Sequence, residues 1–189
     1  MFNYHILHIF SMKQLSLENL NRIGIEEFKE QKKQPIVIVL DNVRSAHNVG
    51  AAFRTSDAFS IEKVILCGIT AQPPHREIQK TALGATESVE WEYFETTNEA
   101  IDVLRSKGYS ISAIEQTTES QKLNDFLPNK DEKYAFIFGN EAFGVDAEVL
   151  KNCDTALEIP QFGTKHSLNV SVSLGIILWH CTEKMNIFS

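Results

Sequence analysis

The order of apolar runs predicts an α/β protein with a mainly parallel sheet and helices on both faces. Three observations carry that prediction. Pro35-Ile-Val-Ile-Val-Leu40 and Tyr134-Ala-Phe-Ile-Phe138 are continuously apolar, which marks strands buried on both sides. Strand-like and helix-like segments alternate along the chain, the pattern of βαβ units. At 189 residues, 43% hydrophobic and 23% charged, the chain is long enough for a sizeable domain without disulfides or a metal.

Residues 17–33 place Leu17, Leu20, Ile23 and Phe28 among charges, with Ser16 as a candidate cap. That spacing predicts one amphipathic helix ending in Lys32-Lys33 before Pro35. Residues 1–34 are therefore set apart as a leader and helix, and 35–189 as the main domain. After the first strand come a polar loop, Asp41–His47, and a helix from about Asn48 to Ala58, with Asn48 as its cap. Lys63–Cys67 reads as a strand and Glu77–Ala82 as a short helix. Ser88–Phe94 alternates as a strand. Asn98–Lys107 is a helix stopped by Gly108, and Tyr109–Ile114 is the next strand. Thr155–Ile159 is a short strand ended by Pro160, which cannot donate to a ladder. From Leu168 to His180 the residues are small or apolar nearly all round, so this helix must be buried against something.

The net charge of −7 counts against casual nucleic-acid binding, which draws on Lys and Arg at the phosphates. Residues 1–33 hold five basic and four acidic residues, leaving 13 basic against 21 acidic in the remainder. Any RNA contact must use a local patch. No apolar run approaches a membrane span. Met1–Phe10 is apolar but lacks a basic start and a small-residue cleavage site, so it is a poor signal peptide. Cys67, Cys153 and Cys181 are odd in number and without metal-ligand spacing, as expected of reduced thiols in a cytoplasmic protein. His5-x-x-His8 lacks further ligands and is read as incidental.

Three loops follow the carboxyl ends of the most buried strands, where open α/β sheets bind ligands. The first leads into Asn48-Val-Gly-Ala-Ala-Phe-Arg54, where Gly50 lets another backbone approach and Arg54 sits on an otherwise small, apolar helix. A lone helical Arg is usually a solvated charge, but flanks such as Ala51, Phe53 and Phe59 suggest a mostly covered helix and hence a buried or interface charge that needs a partner. The second is Phe138-Gly-Asn-Glu-Ala-Phe-Gly144. Its glycines suggest either close approach of a ligand or tight turns. The third is Ile159-Pro-Gln-Phe-Gly163, leading to Ser167-Leu-Asn169. One of Ser167 and Asn169 is explained as an N-cap; the pair is not. Lys165 and His166 adjoin this loop, either as phosphate contacts or as a solvated tip.

In this order, Asn48-x-Gly-x-x-x-Arg54, Phe138-Gly-Asn-Glu141 with Gly144, and Ile159-Pro-x-x-Gly163 leading to Ser167-Leu-Asn-Val-Ser-Val172 resemble the three motifs of the SpoU, or TrmH-like, branch of the SPOUT superfamily. These are RNA ribose 2′-O-methyltransferases that use S-adenosylmethionine. The resemblance covers about Pro35 to Trp179, and its last motif is highly specific. One departure is Gln161, where the family usually has Met. The resemblance implies an α/β sheet with a C-terminal trefoil knot, a homodimer with the knot region at its interface, and RNA as partner. Cofactor contacts would fall to Gly139, Ile159, Gln161 and Leu168, and the catalytic set would be Asn48, Arg54, Glu141, Ser167 and Asn169; no metal is expected. The family proposal makes the Arg the base. Guanidinium groups stay charged at neutral pH, so Arg54 is read instead as orienting the ribose or its phosphate and stabilising alkoxide charge. Ser167 and Asn169 would position it.

Three functions compete on this reading. Methylation of structured RNA leads, with tRNA slightly favoured over ribosomal RNA because no separate RNA-binding domain precedes the catalytic one. A non-catalytic RNA-binding protein of the same fold is disfavoured by retention of every polar motif residue. A small-molecule α/β enzyme is favoured only by the acidic balance. The apolar stretch 1–11 has no obvious partner element, whereas Met12 leads directly into the first helix, so Met12 is the expected native start. A chain beginning there should fold, dimerise and methylate like the full one. Thermal unfolding of the two side by side checks this, and a midpoint lowered by more than ~5 °C, about 1–2 kcal/mol, would make the leader structural.

Overall fold

The computed structural model describes residues 14–20, 22–185 and 187. The leader, the His5/His8 pair and the Met12 start all lie outside the described residues. Among the described residues, seven strands form one sheet in which every pairing is parallel: β1 (Gln34–Asp41), β2 (Ile61–Cys67), β3 (Glu90–Phe94), β4 (Tyr109–Ile114), β5 (Gln121–Lys122), β6 (Lys133–Phe138) and β7 (Thr155–Glu158), in the order β3-β2-β1-β6-β4-β7-β5. The continuous apolar runs are the central strands β1 and β6. Alternate residues of β1 feed opposite cores. Ile36, Ile38 and Leu40 pack with Phe136 and Phe138 on one face, while Val37 and Val39 pack with Ala135 and Ile137 on the other.

Helices cover both faces, as the run pattern requires. On the first lie α1 (Ile25–Glu30), α2 (Ala46–Ala58), α3 (Arg76–Ala82), α4 (Ala85–Ser88) and α7 (Val170–Lys184); on the second lie α5 (Thr97–Ser106) and α6 (Ala147–Leu150). The helix α5 is closed by a full capping box, with the Thr96 hydroxyl accepting from Glu99 N and the Glu99 carboxylate accepting from Thr96 N, which satisfies orphan donors at the helix start. Between α2 and α3 the backbones nearly touch. A Cβ on Gly50 would lie 2.3 Å from the Ile78 carbonyl oxygen, so only glycine allows this approach.

Several expectations need correction. The helix expected over 17–33 is two short pieces, a 3-10 turn at Leu17–Leu20 and α1, separated by extended backbone at Gly24 (ψ 165°). Glycine's low helix propensity decides that break, and α1 keeps only Phe28 in the core. Ser88 belongs to α4 rather than to β3, which starts at Glu90. The cap of α2 is Ser45, whose hydroxyl accepts from Asn48 N at 3.3 Å, so Asn48 lies inside the first turn. The helix α7 starts at Val170, capped by Asn169, whose side chain accepts from Ser171 N. It is buried on one side only: Leu174, Ile177, Leu178 and Cys181 are in the core, while Val172 and Trp179 are exposed. Among the described residues no helix is long and apolar enough to cross a membrane.

Candidate active site

A cavity of about 470 Å³ opens at the carboxyl ends of β4, β6 and β7. Its walls come from the loop after β6, the loop between β7 and α7, and Ile114, Glu115 and Gln116 at the end of β4.

The loop after β6 is a closed turn. Asn140 and Gly144 exchange backbone hydrogen bonds at 2.9 and 2.8 Å, and the Asn140 side-chain oxygen accepts from the Ala142 and Phe143 N–H groups. Gly144 has φ 72°, and a Cβ on Gly139 would lie 2.1 Å from the Gly144 carbonyl carbon. The turn itself therefore requires both glycines. The Asn140 amide donates to Asn42 O at 2.8 Å, tying this loop to the one after β1. So placed, Glu141 faces the start of α2, and Phe143 points to solvent, 86% exposed.

The Glu141 carboxylate accepts three hydrogen bonds from that start: Arg44 N at 2.9 Å, Ser45 N at 3.0 Å and the Asn48 side-chain amide at 2.9 Å. Partial burial alone would raise its pKa. The N–H groups of Arg44, Glu141 and Ser45 and the Asn48 amide outweigh that and hold it below the ordinary value of 4.5, because they favour the charged form. The Asn48 oxygen in turn accepts from the Asn169 amide at 3.2 Å. One chain of hydrogen bonds thus joins residues from all three loops: Glu141, Asn48 and Asn169.

Gly139, Glu141, Ile159, Gln161, Ser167 and Leu168 line the cavity. Asn48 and Asn169 stand behind Glu141. Arg54 does not join them. It is exposed on the outer side of α2, and neither Ser167 nor Asn169 bonds to it. The reason is helical phase: Asn48, Ala52 and Phe53 take the inner face of α2, while His47 and Arg54, seven residues apart, share the outer one. Of the two alternatives its apolar flanks left open, a buried or an interface charge, the first does not hold within this chain. The sequence reading also missed Glu115 and Gln116. The Glu115 carboxylate accepts from Val145 N at 3.0 Å and holds the loop after β6, while the Gln116 amide donates to His166 O at 3.0 Å and pins the loop before Ser167. Both directly follow the Tyr109–Ile114 strand, and the strand-end rule that picked out the other loops reaches them as well.

The cavity suits a nucleoside-type cofactor. Its volume lies in the usual range of ~300–1,000 Å³ for small-ligand sites. Its walls are apolar at Ile114, Leu157, Ile159 and Leu168. The backbone N–H groups from Phe162 to Leu168 donate to no described residue, which leaves donors for the polar edge of a bound base. Walls of this kind with a few donors match S-adenosylmethionine.

The clamp has a testable pH signature. The pKa of Glu141 is lowered in the folded chain, so its stabilisation is present above about 4.5 and lost as pH falls through the lower folded value. Replacing Glu141 with Gln should cost about 1–2 kcal/mol at neutral pH, because the site is partly solvated. Chemical denaturation of the two proteins from neutral to acidic pH checks it. The difference between them should shrink below the ordinary carboxylate range.

Comparison with known proteins agrees with the geometry. Residues 35–179 match the model of the SpoU rRNA Methylase family. The 23S rRNA (guanosine-2′-O-)-methyltransferase RlmB of Neisseria meningitidis serogroup B is 34% identical over 159 residues, covering 84% of this chain and 62% of that protein. The chain thus spans less than two thirds of that relative's length. A TrmH/SpoU tRNA modifying enzyme from A. aeolicus superposes with a TM-score of 0.75 at 25% identity, over 87% of this chain and 82% of that one. An AdoMet-bound rRNA methyltransferase from Sinorhizobium meliloti superposes at 0.74 with 25% identity, over 85% and 60%. With three motif loops joined at one cavity and the family match running from β1 through most of α7, this chain belongs to the SpoU methylase family.

Proposed function

We propose that this chain methylates a ribose 2′-hydroxyl in structured RNA, ribosomal or transfer, with S-adenosylmethionine as donor. One observation carries the reading: the hydrogen-bonded line Glu141–Asn48–Asn169 gathers polar groups of three distant motifs at the wall of a cofactor-sized cavity. The names of the Neisseria and A. aeolicus relatives, one specifying 23S rRNA and the other tRNA, support both RNA classes. Free cysteines at 67, 153 and 181 support a reducing, cytoplasmic setting.

S-adenosylmethionine supplies an electrophilic methyl group on a sulfonium. Gly139, Ile159, Gln161 and Leu168 hold the donor through backbone groups and apolar contact. Gln161 stands where the family usually has Met, which alters a contact with the donor and leaves the reacting groups alone. Glu141 stays ionised and shapes the loop before α2; with three donors already bound, it is a scaffold and does not take the ribose proton. Arg54 orients the ribose or its phosphate and stabilises charge on the attacking oxygen. Because Arg54 lies outside the cavity of its own chain, this role needs a second copy. We read the protein as a homodimer formed through the outward face of α7, where Val172 is exposed and Ile176 is half-buried. The C-terminal knot of the family is supported by β7 entering the sheet between β4 and β5.

Methyl incorporation from labelled S-adenosylmethionine into deproteinised ribosomal RNA and bulk tRNA, with none into small acceptors, tests the reaction. Arg54→Ala should abolish transfer while leaving cofactor affinity by calorimetry nearly unchanged. Arg54→Lys should fail as well, since a point charge does not replace the planar fork. Equal loss of cofactor binding would place Arg54 in a different pocket. Sedimentation at micromolar concentration should give a dimer, and a monomer there would remove the basis for Arg54's role.

A further inference from the structure

An acidic chain that handles RNA needs a surface where phosphates are attracted. Residues 42–84 hold five Lys and Arg against three Asp and Glu, in a chain of net charge −7. Lys63 is spent on Glu92 in the sheet. The remaining cations, Arg44, Arg54, Arg76 and Lys80, are all exposed on α2, the loop before it and α3, and so are His47 and His75. The side chains of Arg44, Arg54 and Arg76 form no ion pair or hydrogen bond with any described residue. Elsewhere Arg105 is paired with Asp154, Lys29 with Glu26, Lys151 with Glu148 and Lys184 with Glu183, while Lys32, Lys107, Lys122, Lys130 and Lys165 form no ion pair with a described residue and lack the neighbouring cations of this group.

The contacts put these groups in a row. Arg44 adjoins the cavity, because its N–H is bound by Glu141. His47 follows on the outer face of α2, and its Nε2 lies 3.0 Å from Glu77 on α3. The Thr81 hydroxyl donates to His47 O at 3.1 Å, so α3 is locked beside that face. Arg76 and Lys80 are four apart on α3 and share one side of it. Glu77 is the carboxylate set into the row. It accepts from Lys80 at 2.7 Å, and that bond, with the positive charges of Lys80, His47 and His75, lowers its pKa against the opposing effect of burial.

We propose that Arg44, Arg76 and Lys80 form a phosphate track that holds the RNA backbone beside the methylated nucleotide. The proposal rests on the RNA reading above and adds the surface that reading lacks. Phosphate contacts fix register and carry no sequence information, so the track serves ribosomal and transfer RNA alike. Glu77 occupies Lys80 and His47 until RNA arrives and so tunes the track's strength.

The test uses the full chain and a fluorescein-labelled hairpin RNA, read by anisotropy between about 50 and 200 mM salt. Arg76→Ala with Lys80→Ala should weaken binding roughly tenfold at low salt and flatten the salt slope by about one for each cation removed. Affinity for S-adenosylmethionine should not move, and a native circular dichroism spectrum shows that the variant is folded. Glu77→Gln should tighten RNA binding. The track is overturned if the double variant binds with wild-type affinity and slope, or if Lys151→Ala with Lys184→Ala, on other faces, costs as much. Weaker binding by Glu77→Gln also overturns it. In each of these cases methylation by the wild type leaves the RNA reading standing. Failure of the wild type to bind the hairpin, ribosomal RNA or bulk tRNA overturns both.

Discussion

The Glu141 carboxylate is the constraint on which the site depends. It lies on the loop after β6, yet its three donors all belong to the start of α2. Two of those donors are backbone N–H groups of residues 44 and 45, so the bond fixes main-chain path as well as side-chain position. Hydrogen bonds to a charged acceptor contribute about 1.5–3 kcal/mol each when well sheltered, and less in a partly wet site such as this. Asn48 spends its amide on Glu141 and its oxygen on Asn169, so the entry to α7 is set by the same carboxylate. Protonating or removing it would loosen three loops at once.

The sheet makes this convergence possible. Parallel strands end on the same edge, so loops separated by about a hundred residues in sequence emerge side by side. The strands β1 and β6 are direct neighbours, with Leu40 paired to Phe138, which brings the loops after them within hydrogen-bonding reach. Buried Asp41 completes the joint. It accepts from the Thr97 hydroxyl at 2.6 Å and from Asp146 N at 3.2 Å, anchoring α5 and α6 to the end of β1.

The parts of this structure legible in the sequence were those governed by local pattern. Continuous apolar runs gave β1 and β6, and strand alternation gave the two-faced sheet. The strand Tyr109–Ile114 matched to the residue, because Gly108 and the following polar residues mark both ends. What was not legible depended on partners far along the chain. Asn48 looked like a cap because Asn caps helices; only the approach of Glu141 shows why its side chain is used elsewhere. Gly139 and Gly144 left two readings open; the close backbone contact across the turn accounts for both glycines, and both also line the cavity. The two-residue β5 and the four-residue α6 are too short to carry a periodic signal. The side of α2 on which Arg54 lies was not legible for a related reason. Its neighbours are apolar, but they face the core by helical phase, and the residue itself points away.

On the proposed RNA reading, that outward placement of Arg54 bears on how an acidic protein meets a polyanion. Charges are screened over ~8 Å at physiological ionic strength, so a phosphate near α3 responds to the cations beside it more than to the chain's overall −7. Lysines held by carboxylates, Lys29 and Lys151 on other faces and Lys80 beside Glu77, contribute less, since their partners cancel the field at short range. Arg44, Arg54 and Arg76 have no such partners among the described residues. On the proposed RNA reading, the acidic balance of the remainder, 13 basic against 21 acidic beyond residue 33, favours such a local patch over the surface at large.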